Sequence, residues 1–294
     1  MLVDYHIHTA HSTDAKNTLA EYCERALEIG LAQICFTNHC ELDKERNDNF
    51  IVFNDQRQPI DQKGIERLFN DINRGREQYE QNGLDVRIGI EIGFFPGIER
   101  QVDFLTRNIQ VDYVLGSIHC LDHICIDSSK EFEYYFADHP AQVMINNYYQ
   151  AINDLVSCGL FDAVAHLDVY KKYGIDYYGR DITYIPEDLL NLIFKNILVK
   201  GVALEVNTAG LRRIGQIYPS GDILNLAKTA GIDRLVIGSD AHCVEDLGKG
   251  LNEGYECIRN HGYSEVCTFK NRQPTKIRPA GKVREKPKTV IGNP

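Results

Sequence analysis

Residues 2–8 read Leu-Val-Asp-Tyr-His-Ile-His, a short apolar run that closes on two histidines at positions i and i+2. In an extended segment alternate side chains point the same way, so His6 and His8 can reach one centre. The same ending recurs along the chain. Gln33–Thr37 runs into His39, Val86–Ile92 carries Glu91, and Tyr113–Ile118 leads to His119. Ala163–His166 ends on His166 with Asp168 two residues on, and Leu235–Ser239 is followed by Asp240 and His242. Val202–Asn207 is the seventh candidate strand. Six of these seven strands therefore deliver a metal-capable side chain at or near the C-terminal end.

Each run is short and apolar, as strands buried on both faces of a parallel sheet are. Helical patterns lie between them. Leu19–Ile29 places Leu19, Tyr22, Cys23, Ala26 and Leu27 on one face and stops at Gly30, a residue suited to a helix C-terminus. Pro186 opens a stretch with acids in its first turn and Gly201 after its last. Ser220 or Asp222 can cap the run that ends on Gly231, and two further helices are predicted over Gly64–Gln81 and Pro140–Ser157. Strands alternating with helices predict an α/β fold of βα units around a parallel sheet, closed as a barrel or open. In α/β barrels the C-terminal edge is where active sites are built, and that is where the histidines fall.

Composition narrows the class. The chain has 294 residues, 43% of them hydrophobic, which is enough for a sizeable core. No run approaches the ~18 consecutive apolar residues of a membrane span. The N-terminal segment lacks the basic and apolar regions of a secretion signal, and the nine cysteines include no C-x-x-C pair, so reduced thiols in a cytoplasmic protein are expected. The net charge of −10 argues against a nucleic-acid surface. It divides unevenly, with +7 on residues 269–294 and −17 on residues 1–268. The last segment also holds four of the nine prolines, and is expected to be a basic, flexible extension beyond a single domain of residues 1–268.

Two His-x-His or Asp-x-His pairs, a glutamate and three further histidines are too many ligands for one ion. Imidazole with carboxylate suits zinc, manganese or iron, and a bridging carboxylate allows ions ~3.5–4 Å apart. A multinuclear site follows. Cys40, Cys120 and Cys243 each follow a proposed ligand and, in an extended segment, point away from it into the packing layer. His123, His139 and His261 sit in polar loops or after a helix, where solvation accounts for them. His11, three residues after His8, is open between ligand, proton relay and surface.

The segments 4–15, 36–39, 89–94, 116–119, 165–168, 205–212 and 238–242, taken together and in this order, resemble the PHP superfamily, named for polymerases and histidinol phosphatases. Within it, Glu205–Arg212 and Thr268–Pro274 look like the histidinol-phosphatase branch. The resemblance implies a distorted seven-stranded (β/α) barrel of TIM-like form with three divalent metal ions. It implies that His6, His8, Glu91 and Asp240 hold one ion, that Glu91 bridges to a second bound by His119, and that His39, His242 and Asp14 hold the third. His166 would complete one of these shells. Asp14 stands where some relatives have histidine, which leaves His11 in competition with it.

The implied reaction is hydrolysis of L-histidinol phosphate, a small phosphate monoester, by a metal-bridging hydroxide attacking phosphorus. A nucleotide or phosphotyrosine is the alternative substrate. Arg212, then Arg213, is expected to hold phosphate oxygens, with Lys171 or Lys172 in a similar role. Asp168, Asp240 and His242 are candidates for protonating the leaving group. Glu41, Asp43 and Asp122 are candidates for an amine on the substrate.

Overall fold

A computed structural model describes residues 1–284. Seven parallel strands pair in strict chain order: β1 (Val3–Ile7), β2 (Gln33–Phe36), β3 (Asp85–Gly93), β4 (Tyr113–Ser117), β5 (Ala163–Val164), β6 (Ala203–Asn207) and β7 (Leu235–Gly238). All seven strands read from the sequence are present, with ends displaced by one or two residues. Between β7 and β1 the ring closes only at its C-terminal end. There a parallel bridge joins Ile7 to Ala241, the His8 N–H donating to the Ala241 carbonyl at 2.9 Å. The result is a distorted, nearly closed (β/α)7 barrel.

A helix follows each strand: α1 (Leu19–Ile29), α2 (Gln62–Glu80), α3 (Glu99–Asn108), α4 (Ala141–Cys158), α5 (Glu187–Lys200), α6 (Gly221–Thr229) and α7 (Leu251–Asn260). Local chemistry sets their ends. Thr18 and Glu21 form a reciprocal capping box at the start of α1, and Gly30, at φ 81°, ends it. Tyr22, Cys23, Ala26 and Ile29 make its buried face, the stripe that the spacing of apolar residues sets.

The additions at the C-terminal mouth are too short to show a period in sequence. After β2 comes the strand His39–Glu41, which pairs with β3, and then a hairpin of Phe50–Phe53 with Gln56–Pro59. After β4 comes a second hairpin, Cys120–Leu121 with Ile124–Cys125.

The opposite end corrects the expected boundary at residue 268. Residues 266–277 form an antiparallel hairpin, β8 (Val266–Lys270) and β9 (Gln273–Ile277), that floors the barrel. Phe269 is buried, with its ring 4.9 Å from that of Tyr113, and its N–H donates to the Tyr5 hydroxyl at 2.9 Å. The basic residues read as a solvated tail meet acids of the body: Arg272 pairs with Asp162 at 3.1 Å and Lys276 with Asp233 at 2.5 Å. Val283 is also buried. Residues 285–294, which include Lys286 and Lys288 of the expected extension, lie outside the described residues. Among those described, no helix is long and apolar enough to cross a membrane.

Candidate metal centre

Glu91, on β3, stands at the centre of the mouth with no exposed surface. One carboxylate oxygen, Oε2, lies 3.3 Å from His6 Nε2, 3.5 Å from His8 Nε2 and 3.0 Å from His39 Nδ1. The other, Oε1, lies 3.3 Å from His119 Nε2 and 3.2 Å from His166 Nε2. Asp240 closes the ring from β7, with Oδ1 at 3.5 Å from His6 and 3.4 Å from His8. At the outer side His242 Nε2 faces His39 Nε2 at 3.3 Å, and Asp14 Oδ2 lies 3.3 Å from His242 and 3.6 Å from His39. All nine residues expected to ligate metal are therefore gathered in one place. Among the described residues, three groupings bring ligand atoms within 4.8 Å of one another: His6, His8 and Asp240; His39, Glu91 and His119; and His8, His39 and His242.

Such a cluster is hard to explain as self-sufficient. His6 Nε2, His8 Nε2, His39 Nδ1 and Glu91 Oε2 are buried with no partner in hydrogen-bonding geometry, the 3.0 Å approach of His39 Nδ1 to Glu91 Oε2 being misaligned for one, although burying a polar atom unpaired is unfavourable. Burial alone would push the His6, His39 and His119 imidazoles down, yet the surrounding carboxylates hold all three well above the ordinary range. Glu91 shows the converse. Its burial favours the neutral form, but His6, His119 and His39 hold it well below the usual carboxylate range. Burial, then His39 and His242, push His8 well below the ordinary value. A cation bound among these atoms would satisfy the orphaned nitrogens and oxygens together, so the donor set fits divalent metal.

The rings are turned toward this centre by partners on their far sides. His6 Nδ1 lies 2.6 Å from Glu205 Oε1, and Glu205 Oε2 accepts from the His166 N–H at 2.7 Å and the Asn207 amide at 3.1 Å. His119 Nδ1 lies 2.8 Å from Glu41. With a cation in place of the second ring proton, an N–H donated at Nδ1 would leave the Nε2 lone pair facing the cluster. Strand spacing alone marks neither Glu205 nor Glu41 as an orienting group. Glu205 lies on the one strand that lacked a terminal ligand, two residues before Asn207, and that i, i+2 spacing was the available signal. Close packing explains two motif glycines. A Cβ at Gly238 would collide with the His6 Cβ, and one at Gly93 with the Glu41 carboxylate. Asp240 itself sits at φ 53°, an unfavourable backbone region for a residue with a Cβ.

Several expected residues are placed elsewhere. Arg212 donates to the Ser239 carbonyl and the Asp240 carbonyl at 3.0 Å and pairs with Asp246, so it braces the turn after β7 from behind. Arg213 lines the cleft instead. Asp168 is fully buried, bonded to Lys171 at 2.7 Å and to the Ser220 N–H at 3.0 Å, and is not a cleft residue. Lys171 is thereby taken out of the phosphate-holding role, whereas Lys172 lines the cleft opposite Asp127 at 3.8 Å. Asp127 and Tyr218 are cleft residues that the sequence did not single out. His11 turns away, its Nδ1 2.8 Å from the Val52 carbonyl, and Asp14 occupies the site. Asp43 and Asp122 line a neighbouring pocket, Asp43 bonded to His123 at 2.6 Å. Cys40 is buried as expected, but Cys120 and Cys243 are only partly buried. His139 and His261 bond backbone carbonyls away from the cluster.

The profile of the PHP domain matches residues 4–209. A protein of Deinococcus radiodurans named "probable histidinol-phosphatase" is 31% identical over 275 residues, covering 92% of this chain and 98% of that one. The histidinol-phosphatase of Bacillus subtilis is 28% identical, covering 83% and 95%. Among solved structures, histidinol phosphate phosphatase of Lactococcus lactis, complexed with zinc, L-histidinol and phosphate, superposes with a TM-score of 0.75 at 20% identity, covering 94% of this chain and 99% of that one.

Proposed function

Because the chain belongs to the PHP domain family, we propose that it is a metal-dependent phosphatase that hydrolyses L-histidinol phosphate to L-histidinol and phosphate. The observation that carries the substrate is the near full-length match to the Deinococcus radiodurans relative, 92% of this chain against 98% of that one. The buried constellation around Glu91 supports the reaction class. We assign this reaction to histidine biosynthesis, and the cytoplasm is the compartment in which such a soluble metabolite would be met.

Three divalent ions are proposed, zinc, manganese or iron. His6, His8, Glu91 and Asp240 would hold the first. Glu91 would reach a second together with His119 and His166, whose nitrogens face the same Glu91 oxygen. His39, His242 and Asp14 would hold the third. Ions bound there supply Lewis acidity toward a phosphate ester and acidify water near neutral pH. The protein's own contribution is placement. Glu205 and Glu41 fix the rings of His6 and His119, and the Arg212 guanidinium fixes the turn that carries Asp240 and His242. Arg213 and Lys172 are the cations that line the cleft, and they take the role of holding outer phosphate oxygens. Asp240 and His242 remain the candidates for protonating the leaving alkoxide, since Asp168 is engaged elsewhere.

The test is steady-state turnover by metal-loaded protein on L-histidinol phosphate beside a panel of nucleotides, phosphotyrosine and sugar phosphates. Histidinol phosphate is expected to exceed the others in kcat/KM by orders of magnitude. Equal or better turnover of another monoester would overturn the substrate assignment and leave the reaction class standing.

A further inference from the structure

The hairpin that rises directly after His119 carries two cysteines in register. Its turn residues, Asp122 and His123, have φ of 49° and 64°, the two positive values of a type I′ turn. Leu121 pairs with Ile124 next to the turn, and Cys120 pairs with Cys125 beyond it. One step further, the Ile126 N–H donates to the His119 carbonyl at 2.9 Å. Hydrogen-bonded and non-hydrogen-bonded pairs alternate along an antiparallel ladder, so Cys120–Cys125 is the non-hydrogen-bonded kind. Such pairs bring Cα atoms to ~4.5 Å with the side chains on one face, inside the ~4.4–6.8 Å span of a disulfide. No other two cysteines of the nine are strand partners.

Access and consequence follow from the same hairpin. Cys120 and Cys125 are free and partly exposed, and both line the outer mouth of the cleft. Cys23, Cys35, Cys40 and Cys267 are buried. The Cys125 thiol donates to Asp127 Oδ1 at 2.9 Å, and Asp127 lines the metal cleft beside Lys172.

We propose that Cys120 and Cys125 are a redox-modification site, forming a reversible cross-strand disulfide that releases Asp127 from its thiol donor at the cleft mouth. The oxidant class is a small-molecule disulfide such as oxidised glutathione. The Cys120–Cys125 Sγ–Sγ bond forms and both S–H bonds are lost. Two electrons and two protons pass to glutathione disulfide, whose S–S bond breaks to give two thiols. The cross-link rests on the hairpin alone, and its effect on turnover rests on the phosphatase reading above.

Full-length protein equilibrated in buffers of rising oxidised-to-reduced glutathione ratio, then alkylated and digested with trypsin, tests it. The peptide 108–130 contains both residues. It is expected to lose two hydrogens, to resist alkylation at oxidising ratios, and to recover in excess reduced glutathione. In Cys125→Ser the same peptide is expected to carry a single glutathione on Cys120. Two alkylated thiols at every ratio, or separate glutathione adducts in the unsubstituted chain, would overturn the site. In metal-loaded protein, turnover on histidinol phosphate is expected to shift several-fold with the same midpoint, and that response is expected to vanish when both cysteines are replaced, in Cys120→Ser/Cys125→Ser. A cross-link that forms with turnover unchanged would overturn the link to Asp127.

Discussion

At the floor of the barrel Asp162 accepts from Arg272 at 3.1 Å and from the Val114 N–H at 2.8 Å, while Asp112 accepts from Arg76, Ile88 and Asn271. At the mouth Glu91 lies among five imidazoles with one oxygen lacking any hydrogen-bond partner. Both ends bury carboxylates, but Asp162 and Asp112 have their shells completed by the protein's own donors, and Glu91 does not. The floor's charges are matched by the fold's own partners. Those at the mouth are left for something else to match. The contrast identifies the working end of the barrel more directly than the number of histidines does.

The sharpest way to break this contrast is Glu91→Gln. Turnover of metal-loaded protein is expected to fall about a thousand-fold or more, equivalent to ~4 kcal/mol of barrier. Bound metal, measured by elemental analysis, is expected to fall with it. Metal saturation stabilises a site by about 2.7 kcal/mol at a hundred times Kd, so added metal should raise the Tm of the unsubstituted chain, and Glu91→Gln should lose most of that rise. A variant that kept both its metal and its rise in Tm would show that Glu91 is a structural carboxylate like those of the floor.

Glu205→Gln is the next largest. It touches the cluster only through His6 and the backbone of His166, so it is a positioning residue. Partners of this kind typically change metal affinity by about 10–100-fold. Metal titration should show that loss, while KM for substrate at saturating metal stays near the unsubstituted value. A change in KM alone would place Glu205 against substrate instead.

The mouth was legible in sequence because β-strands alternate and because each ligand stands at a strand's end. His6 and His8, or Asp240 and His242, declare themselves by spacing. What spacing cannot give is the direction of a long side chain. Arg212 and Arg213 are adjacent, and only the fold shows that the first bonds backbone behind β7 while the second reaches the cleft. Asp168 and Lys171 pair with each other below the surface for the same reason. The floor is not legible in sequence because its hairpin hides its logic in long-range pairs. Arg272 and Lys276 look like a solvated charge run until Asp162 and Asp233, more than forty residues away, are brought beside them.

At the floor, Arg272→Ala is expected to leave kcat/KM within about twofold and to destabilise the chain. Its guanidinium bonds Asp162 and the Leu160 carbonyl. Leaving a buried acceptor short of a partner costs about 1–3 kcal/mol, read as a lower Tm at fixed metal concentration. A large loss of turnover with no loss of Tm would make the floor part of the working site and erase the contrast.

The smallest effect is the pH dependence of that same variant. Burial pushes the Asp162 carboxyl above its ordinary value, with Arg272 pulling it partly back. A carboxyl raised in the folded state contributes stability that is fully present below the unfolded value and is lost as pH rises through the folded value. Removing Arg272 raises the folded value further, so more of that stability is lost on the way to neutral pH. The Tm difference between the two proteins should therefore be smaller in acid, where protonation of Asp162 leaves less charge for Arg272 to balance, and should widen toward pH 7. Stripping metal should leave this widening unchanged, since no mouth residue touches the pair. A difference that stays flat across the range would mean that Arg272 acts through the Leu160 carbonyl alone, and that the floor matches its geometry without matching its charge.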